Sequence, residues 1–267
     1  MTRTIHGSQG KNPATPGDAP LPATPGLARP RPSRGRLPLA WFILAVAAAT
    51  LVCWWFFDAP VAAWALRVHP IPDLANPAAR GGDIARELMM LEQWGQWVCS
   101  VLVIAAVAIL DRTDGRRNAL AIALGCLSTV AASYLLKDMI GRSRPYVLPA
   151  NGTWTWGGPA MGFHHGSAWQ SFPSSHTTGA FALSVGLAWC YPRGAALFLA
   201  LAAITAAQRV LHAAHFLSDV FAGMGLAVVI PLLTLRARLA DRLVAALPQP
   251  SRRWFQTPST PAPPLND

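Results

Sequence analysis

Three short polar clusters interrupt the apolar stretches of this chain, and their side chains are of the types that can take hold of a phosphate group. Lys137 leads to Arg144 and Pro145. Pro173, Ser174, Ser175 and His176 follow in one run. Arg209 then precedes His215 and Asp219. A phosphate ester needs positive charge and directed donors that strengthen as charge moves onto the phosphoryl oxygens. Lys137, Arg144 and Arg209 can supply that charge, arginine as a planar fork of donors and lysine as a point charge. Ser174 and Ser175 stand where a helix can begin after Pro173. The free N–H groups and dipole of such a helix end suit an anion, and the same serines suit N-capping. A histidine can attack phosphorus or carry a proton to or from the leaving oxygen. His215 and Asp219 are four residues apart, so on a helix they share a face. Asp219 could then hold one ring N–H and leave the other nitrogen aimed at phosphorus. His176, from a different helix end, can protonate the leaving alkoxide.

The elements that must position these groups are membrane-length. The 267 residues are 52% hydrophobic and 13% charged, with mean hydropathy +0.32, whereas a soluble domain carries about 25% charged residues. Six apolar segments can be drawn: Leu37 to Phe57, Gln93 to Leu110, Asn118 to Leu136, His176 to Tyr191, Ala195 to Leu211 and Val220 to Leu235. Strand alternation is absent from them, which leaves helices as the spanning structure. The expected fold is all-α, a six-transmembrane-helix bundle over residues 37–243. The Pro- and Arg-rich segments 1–36 and 244–267 have little to bury and read as disordered tails. The last three spans reach membrane length only by drawing in cluster residues, which sets the site slightly below the membrane surface. Charges at that depth are expensive and point to function.

Most of the 22 lysines and arginines fall on one side when the N-terminus is placed inside. The positive-inside rule therefore predicts a multi-pass protein with both termini cytoplasmic and all three clusters at the outer face, which is the periplasmic face of an inner membrane if the source is bacterial. Two outer segments remain. Residues 58–92 leave room for a short interfacial helix around Val61–Val68. Residues 141–171 carry Trp154, Trp156 and Trp169, which read as headgroup-level anchors, with a lid or headgroup selector as the alternative. Arg142 reads as a solvated loop residue, and His212 as a packing or lipid-edge residue. His164 and His165 are loop histidines that could reach a substrate.

The basic balance does not imply nucleic acid, because the cations sit at the edges of apolar segments rather than on one polar face. Cys53, Cys99, Cys126 and Cys190 lie inside apolar runs without ligand spacing, which argues against a disulfide framework or a metal site.

Taken in order, the clusters resemble the signature of the type 2 phosphatidic acid phosphatase and vanadium haloperoxidase superfamily: Lys-x6-Arg-Pro, Pro-Ser-Gly-His and Ser-Arg-x5-His-x3-Asp. The resemblance covers roughly Asn118 to Leu235. It implies a membrane lipid phosphatase acting through a phosphohistidine without metal or other cofactor. His215 would be the nucleophile, Asp219 its orienting partner and His176 the acid and then the base. Lys137, Arg144, Ser174, Ser175 and Arg209 would hold the phosphate. Two positions depart from the pattern: Ser175 replaces the usual glycine, and Gln208 replaces the serine before Arg209. The implied substrate is a lipid phosphate or diphosphate of the phosphatidic acid, phosphatidylglycerol phosphate, undecaprenyl diphosphate or lipid A phosphate type. The alternative with the same chemistry is a phosphotransferase that passes the phosphoryl group to a second lipid. An anion transporter would place charges mid-span and on both sides, which this chain does not. A haloperoxidase is disfavoured because its relatives are soluble.

Overall fold

The computed structural model describes residues 39–68, 90–147, 156–164 and 166–246. Segment 1–36, Trp154, His165 and the chain after Ala246 lie outside these residues. Nine α-helices are found among the described residues: α1 (Leu39–Val52), α2 (Asp58–Val68), α3 (Trp97–Leu110), α4 (Gly115–Ile140), α5 (Gly158–His164), α6 (Ser175–Cys190), α7 (Ala195–Leu211), α8 (Leu217–Arg236) and α9 (Leu239–Ala246). Single 3-10 turns cover Leu91–Gly95, Gly166–Trp169 and Pro192–Gly194. The described residues contain no strand, only an isolated bridge between Arg142 and Trp156. The all-helical expectation therefore holds.

Among the described residues, four helical stretches are long and apolar enough to cross a membrane: Leu39–Val68, Gly115–Ile140, Pro192–Leu211 and Leu217–Arg236. The other two anticipated spans are shorter. The α3 helix has 14 residues because the preceding segment is wound as a 3-10 turn and Gln96 is extended. The α6 helix has 16 residues because Ser174 caps its start.

The first span also differs from its expected form. A π-helical turn at Cys53–Phe57 joins α1 to α2, so helix continues to Val68 instead of ending at Phe57 before a separate interfacial helix. Pro60 has no N–H to give the preceding turn, and the π turn just before it is where the hydrogen-bond ladder is reset. At the other end of the chain, α9 extends to Ala246, past the boundary drawn at residue 243.

The apolar core lies where α4, α6 and α8 meet, at Ile122, Cys126, Ala182, Leu183, Leu187 and Ala227. Small residues let the helices approach. A Cβ on Gly223 of α8 would stand 3.0 Å from the Ser174 carbonyl oxygen, so α8 lies directly against the first turn of α6. At the end of α4, Gly141 takes a left-handed conformation (φ 56°), and its N–H bonds to the Lys137 carbonyl. That turn reverses the chain immediately after Lys137 and carries Arg142 and Arg144 back over the bundle. The end of α4, the start of α6, the end of α7 and the start of α8 thereby fall together.

Candidate active site

The His215 side is built from the short connection between α7 and α8. The N–H groups of Ala214 and His215 both bond to the Arg209 carbonyl (3.1 Å each). The His215 side chain is almost wholly buried. Its Nδ1 lies 2.8 Å from the Ser171 carbonyl oxygen. A carbonyl can only accept, so Nδ1 carries the proton and Nε2 presents a lone pair. That lone pair lies 3.3 Å from Nη1 of Arg144. Burial pushes the His215 pKa well below the ordinary histidine value. Asp219 works against this shift, while Arg144 and Lys137 add to it. The ring is therefore neutral at neutral pH.

Asp219 occupies the first turn of α8, with 0% of its surface exposed. Its carboxylate accepts from Ser171 Oγ (2.6 Å), Phe216 N–H (2.9 Å) and Arg142 Nη1 (2.5 Å). Its nearest approach to His215 Nδ1 is 3.6 Å. This refines the expectation of a direct helical pair. His215 precedes the helix, its ring proton goes to Ser171, and Asp219 acts through charge and by fixing Ser171.

The cations converge from three elements. Lys137 is buried and donates to the Gln170 carbonyl (2.5 Å), while Gln170 is held by Asp138 (2.8 Å). Arg144 donates to the carbonyls of Ser167 (2.7 Å) and Ala214 (3.3 Å). Arg209 pairs with Glu92 through Nη1, and its Nε is buried without a hydrogen-bond partner among the described residues. Ser174 is buried as the N-cap of α6, its Oγ accepting from Thr177. Ser175 follows as the first helical residue. On the open side, His176 Nε2 lies 2.6 Å from the Gln96 amide and 3.3 Å from Glu92 Oε1.

Residues 118–242 match the family model described as PAP2 superfamily. A lipid A 1-phosphatase of Rhizobium johnstonii is 38% identical over 100 residues, covering 38% of this chain and 39% of that protein. A lipid A 1-phosphatase of Rhizobium etli is 36% identical over 100 residues, covering 38% and 41%. The chain thus spans about two fifths of the length of these curated relatives. A crystal structure of a transmembrane PAP2-type phosphatidylglycerolphosphate phosphatase from Bacillus subtilis is similar with a TM-score of 0.51. It is 19% identical and covers 79% of this chain and 97% of that one, a likeness of fold.

The PAP2 segment contains all three clusters, but several residues at the site lie outside them. Arg142 is not a solvated loop residue. It is buried, donates to Asp219, Ser218 (2.7 Å) and Asp58 (2.7 Å), and has Phe216 and Trp156 against its guanidinium at 4.0 and 4.7 Å. Asp58, upstream of the PAP2 segment, completes this group by accepting from the Ser218 N–H (2.9 Å) and hydroxyl. The available signal was an aspartate ending a membrane-length apolar run, which calls for a cation. Trp156 covers Arg142 and leans on Trp54, a more specific role than headgroup anchoring. Glu92, Gln96, Gln170 and Ser171 carried no motif signal. His164 is exposed in α5, and His212 caps the end of α7. All four cysteines are free thiols. Among the described residues, no three His, Cys, Asp or Glu side chains group closely enough to hold a metal ion.

Proposed function

We propose that this protein is an integral-membrane lipid phosphatase. The observation that carries the reading is the bare Nε2 of a buried, neutral His215 standing against Arg144. Lys137, Arg144, Arg209 and the N–H groups at the start of α6 bind the phosphoryl oxygens. His215 Nε2 attacks phosphorus, the P–O ester bond breaks, and His176 gives a proton to the departing oxygen. Water then attacks the phosphohistidine and loses its proton to His176. The N–P bond breaks, phosphate leaves and His215 returns to its starting state. Electrostatic stabilisation by the cations supplies the largest share of the rate.

The helices form a six-span bundle with both termini inside and the site at the outer face, an orientation supported by the distribution of basic residues. The candidate substrates are lipid A 1-phosphate, which the names of the two relatives support, phosphatidic acid, phosphatidylglycerol phosphate and undecaprenyl diphosphate.

The test is phosphate release by the detergent-purified protein from these four lipids, with chelator present, beside His215→Ala. Release that survives chelation and is lost in the variant, by about 10³-fold or more, supports the reading. Release unchanged in His215→Ala overturns it. Transfer to a lipid acceptor without free phosphate moves the assignment to a phosphotransferase.

A further inference from the structure

The phosphatase reading gives His176 a demanding task, because it must carry a proton while surrounded by positive charge. The charged groups acting on its ring are Arg209 from α7, Arg144 from the segment after α4, Lys137 from α4 and Glu92 from the 3-10 turn Leu91–Gly95. The three cations all oppose an imidazolium. Glu92 is the carboxylate in contact with the ring, 3.3 Å from Nε2, and the same Oε1 pairs with Arg209.

The placement of Glu92 is built into the fold. Trp94 Nε1 donates to Ser184 Oγ on α6 (2.9 Å), and Thr205 Oγ1 on α7 donates to the Leu91 carbonyl (3.1 Å). A Cβ on Gly179 would stand 2.7 Å from the Gly95 carbonyl oxygen, and a Cβ on Gly95 would meet the His176 carbonyl. The 3-10 turn is thus pinned to both helices and pressed onto the first turn of α6 without intervening side chains.

We propose that Glu92 is a positioning residue for the reaction, the carboxylate of a second histidine–carboxylate pair. Its Oε1, 3.3 Å from Nε2, faces the ring when both nitrogens carry protons, whereas the Gln96 amide nitrogen, 2.6 Å from the same Nε2, can only donate and so supports the neutral ring. In the first half-reaction the imidazolium gives a proton to the leaving oxygen as the P–O bond breaks, and the ring becomes neutral. In the second, the neutral ring takes the proton of the attacking water as the N–P bond breaks. Glu92 offsets the charge of the imidazolium present before the first step and after the second. This inference rests on the phosphatase reading.

The experiment compares full-length wild type with Glu92→Gln and Glu92→Asp on two substrates, phosphatidic acid and p-nitrophenyl phosphate. The first leaves as an alkoxide and needs a proton; the second leaves as a stable phenolate. Glu92→Gln is expected to lower kcat on phosphatidic acid by about 10² and on p-nitrophenyl phosphate by at least tenfold less. The alkaline limb of kcat/KM on phosphatidic acid should move to lower pH, because the imidazolium loses its counter-charge. Glu92→Asp, which keeps the charge, should restore part of the loss. Equal losses on both substrates with an unmoved alkaline limb, or no loss at all, would overturn the proposal while leaving the phosphatase reading intact. If wild type fails to turn over either substrate in a His215-dependent way, the phosphatase reading falls and this inference falls with it.

Discussion

The two histidines of this site are held in opposite ways. His215 is sealed, with 1% of its side chain exposed, and every neighbour of its Nδ1 is itself fixed. Ser171 takes its proton, Asp219 holds Ser171, Arg142 holds Asp219, and Asp58 holds Arg142. His176 is 23% exposed and rests on one short turn, through Glu92 and Gln96. The difference follows the work each ring is proposed to do. A nucleophile must keep one lone pair on one line, which favours a stack of buried, mutually satisfied groups. An acid that becomes a base must serve a departing lipid and then an arriving water, which favours a partly open position.

That contrast can be broken most severely at Asp219. Asp219→Asn removes the charge that supports the His215 ring and leaves Arg142 with one carboxylate partner instead of two. It also places an amide where Phe216 N–H, Ser171 Oγ and Arg142 all seek an acceptor. The expected loss in kcat is about 10³-fold, well beyond that at Glu92. Purified variant turnover with phosphatidic acid or lipid A 1-phosphate measures it. A loss no greater than that of Glu92→Gln would erase the distinction drawn between the two ends.

Arg142→Met comes next. The guanidinium touches no proposed phosphate ligand, so its removal should spare KM and lower kcat by about tenfold to a hundredfold through Asp219 and His215. It should also lower the thermal midpoint, because removing one partner of a buried ion pair costs about 3–5 kcal/mol. Asp58→Asn should act in the same direction but less, since Arg142 keeps Asp219. A kcat loss without any fall in thermal midpoint would mean that the Arg142 network is not the brace described.

The sign of the His215 shift gives a milder test. With the folded pKa held below the ordinary value, the ring remains neutral as pH falls through 6.5. Ring resonances of isotope-labelled histidine should show His215 uncharged at pH 6, and a midpoint at or above 6.5 would contradict the sealed environment. In unfolded chains this histidine binds a proton near pH 6.5. It therefore contributes stability above that pH which is lost as pH falls toward the folded pKa.

What the sequence revealed of this site is what lies within short spacings. Lys137, Arg144, Ser174, Arg209, His215 and Asp219 all sit at ends of apolar runs, and antiparallel helices bring alternate ends together. Their convergence is therefore legible in the order of the apolar runs alone. The bracing was hidden because its pairs are long-range. Arg142 and Asp58 are separated by 84 positions, and His176 and Gln96 by 80. No periodicity links such residues. The first span runs past Phe57 because Asp58, which looks like a boundary in the sequence, is a buried carboxylate whose cationic partner lets the helix continue. The spacing of four does bring His215 and Asp219 within 3.6 Å, but not along one helix. The helix begins only at Leu217, so the pair meets through Ser171.

The smallest effect is expected at Ser175, where this chain departs from the glycine of the family pattern. Ser175 is the first residue of α6, half-buried, between the cap at Ser174 and His176. A phosphate bound there would use the backbone N–H, which Ser175→Gly retains. The cap would also remain, since Ser174 supplies it. Glycine costs about 0.5–1 kcal/mol relative to alanine in a helix interior and less at its first position, where the chain is already half free. Activity on any accepted lipid should therefore stay within about threefold of wild type. A larger fall would show that the hydroxyl itself touches substrate. A rise confined to one lipid headgroup would make this position, at the more open His176 end, part of what selects the substrate.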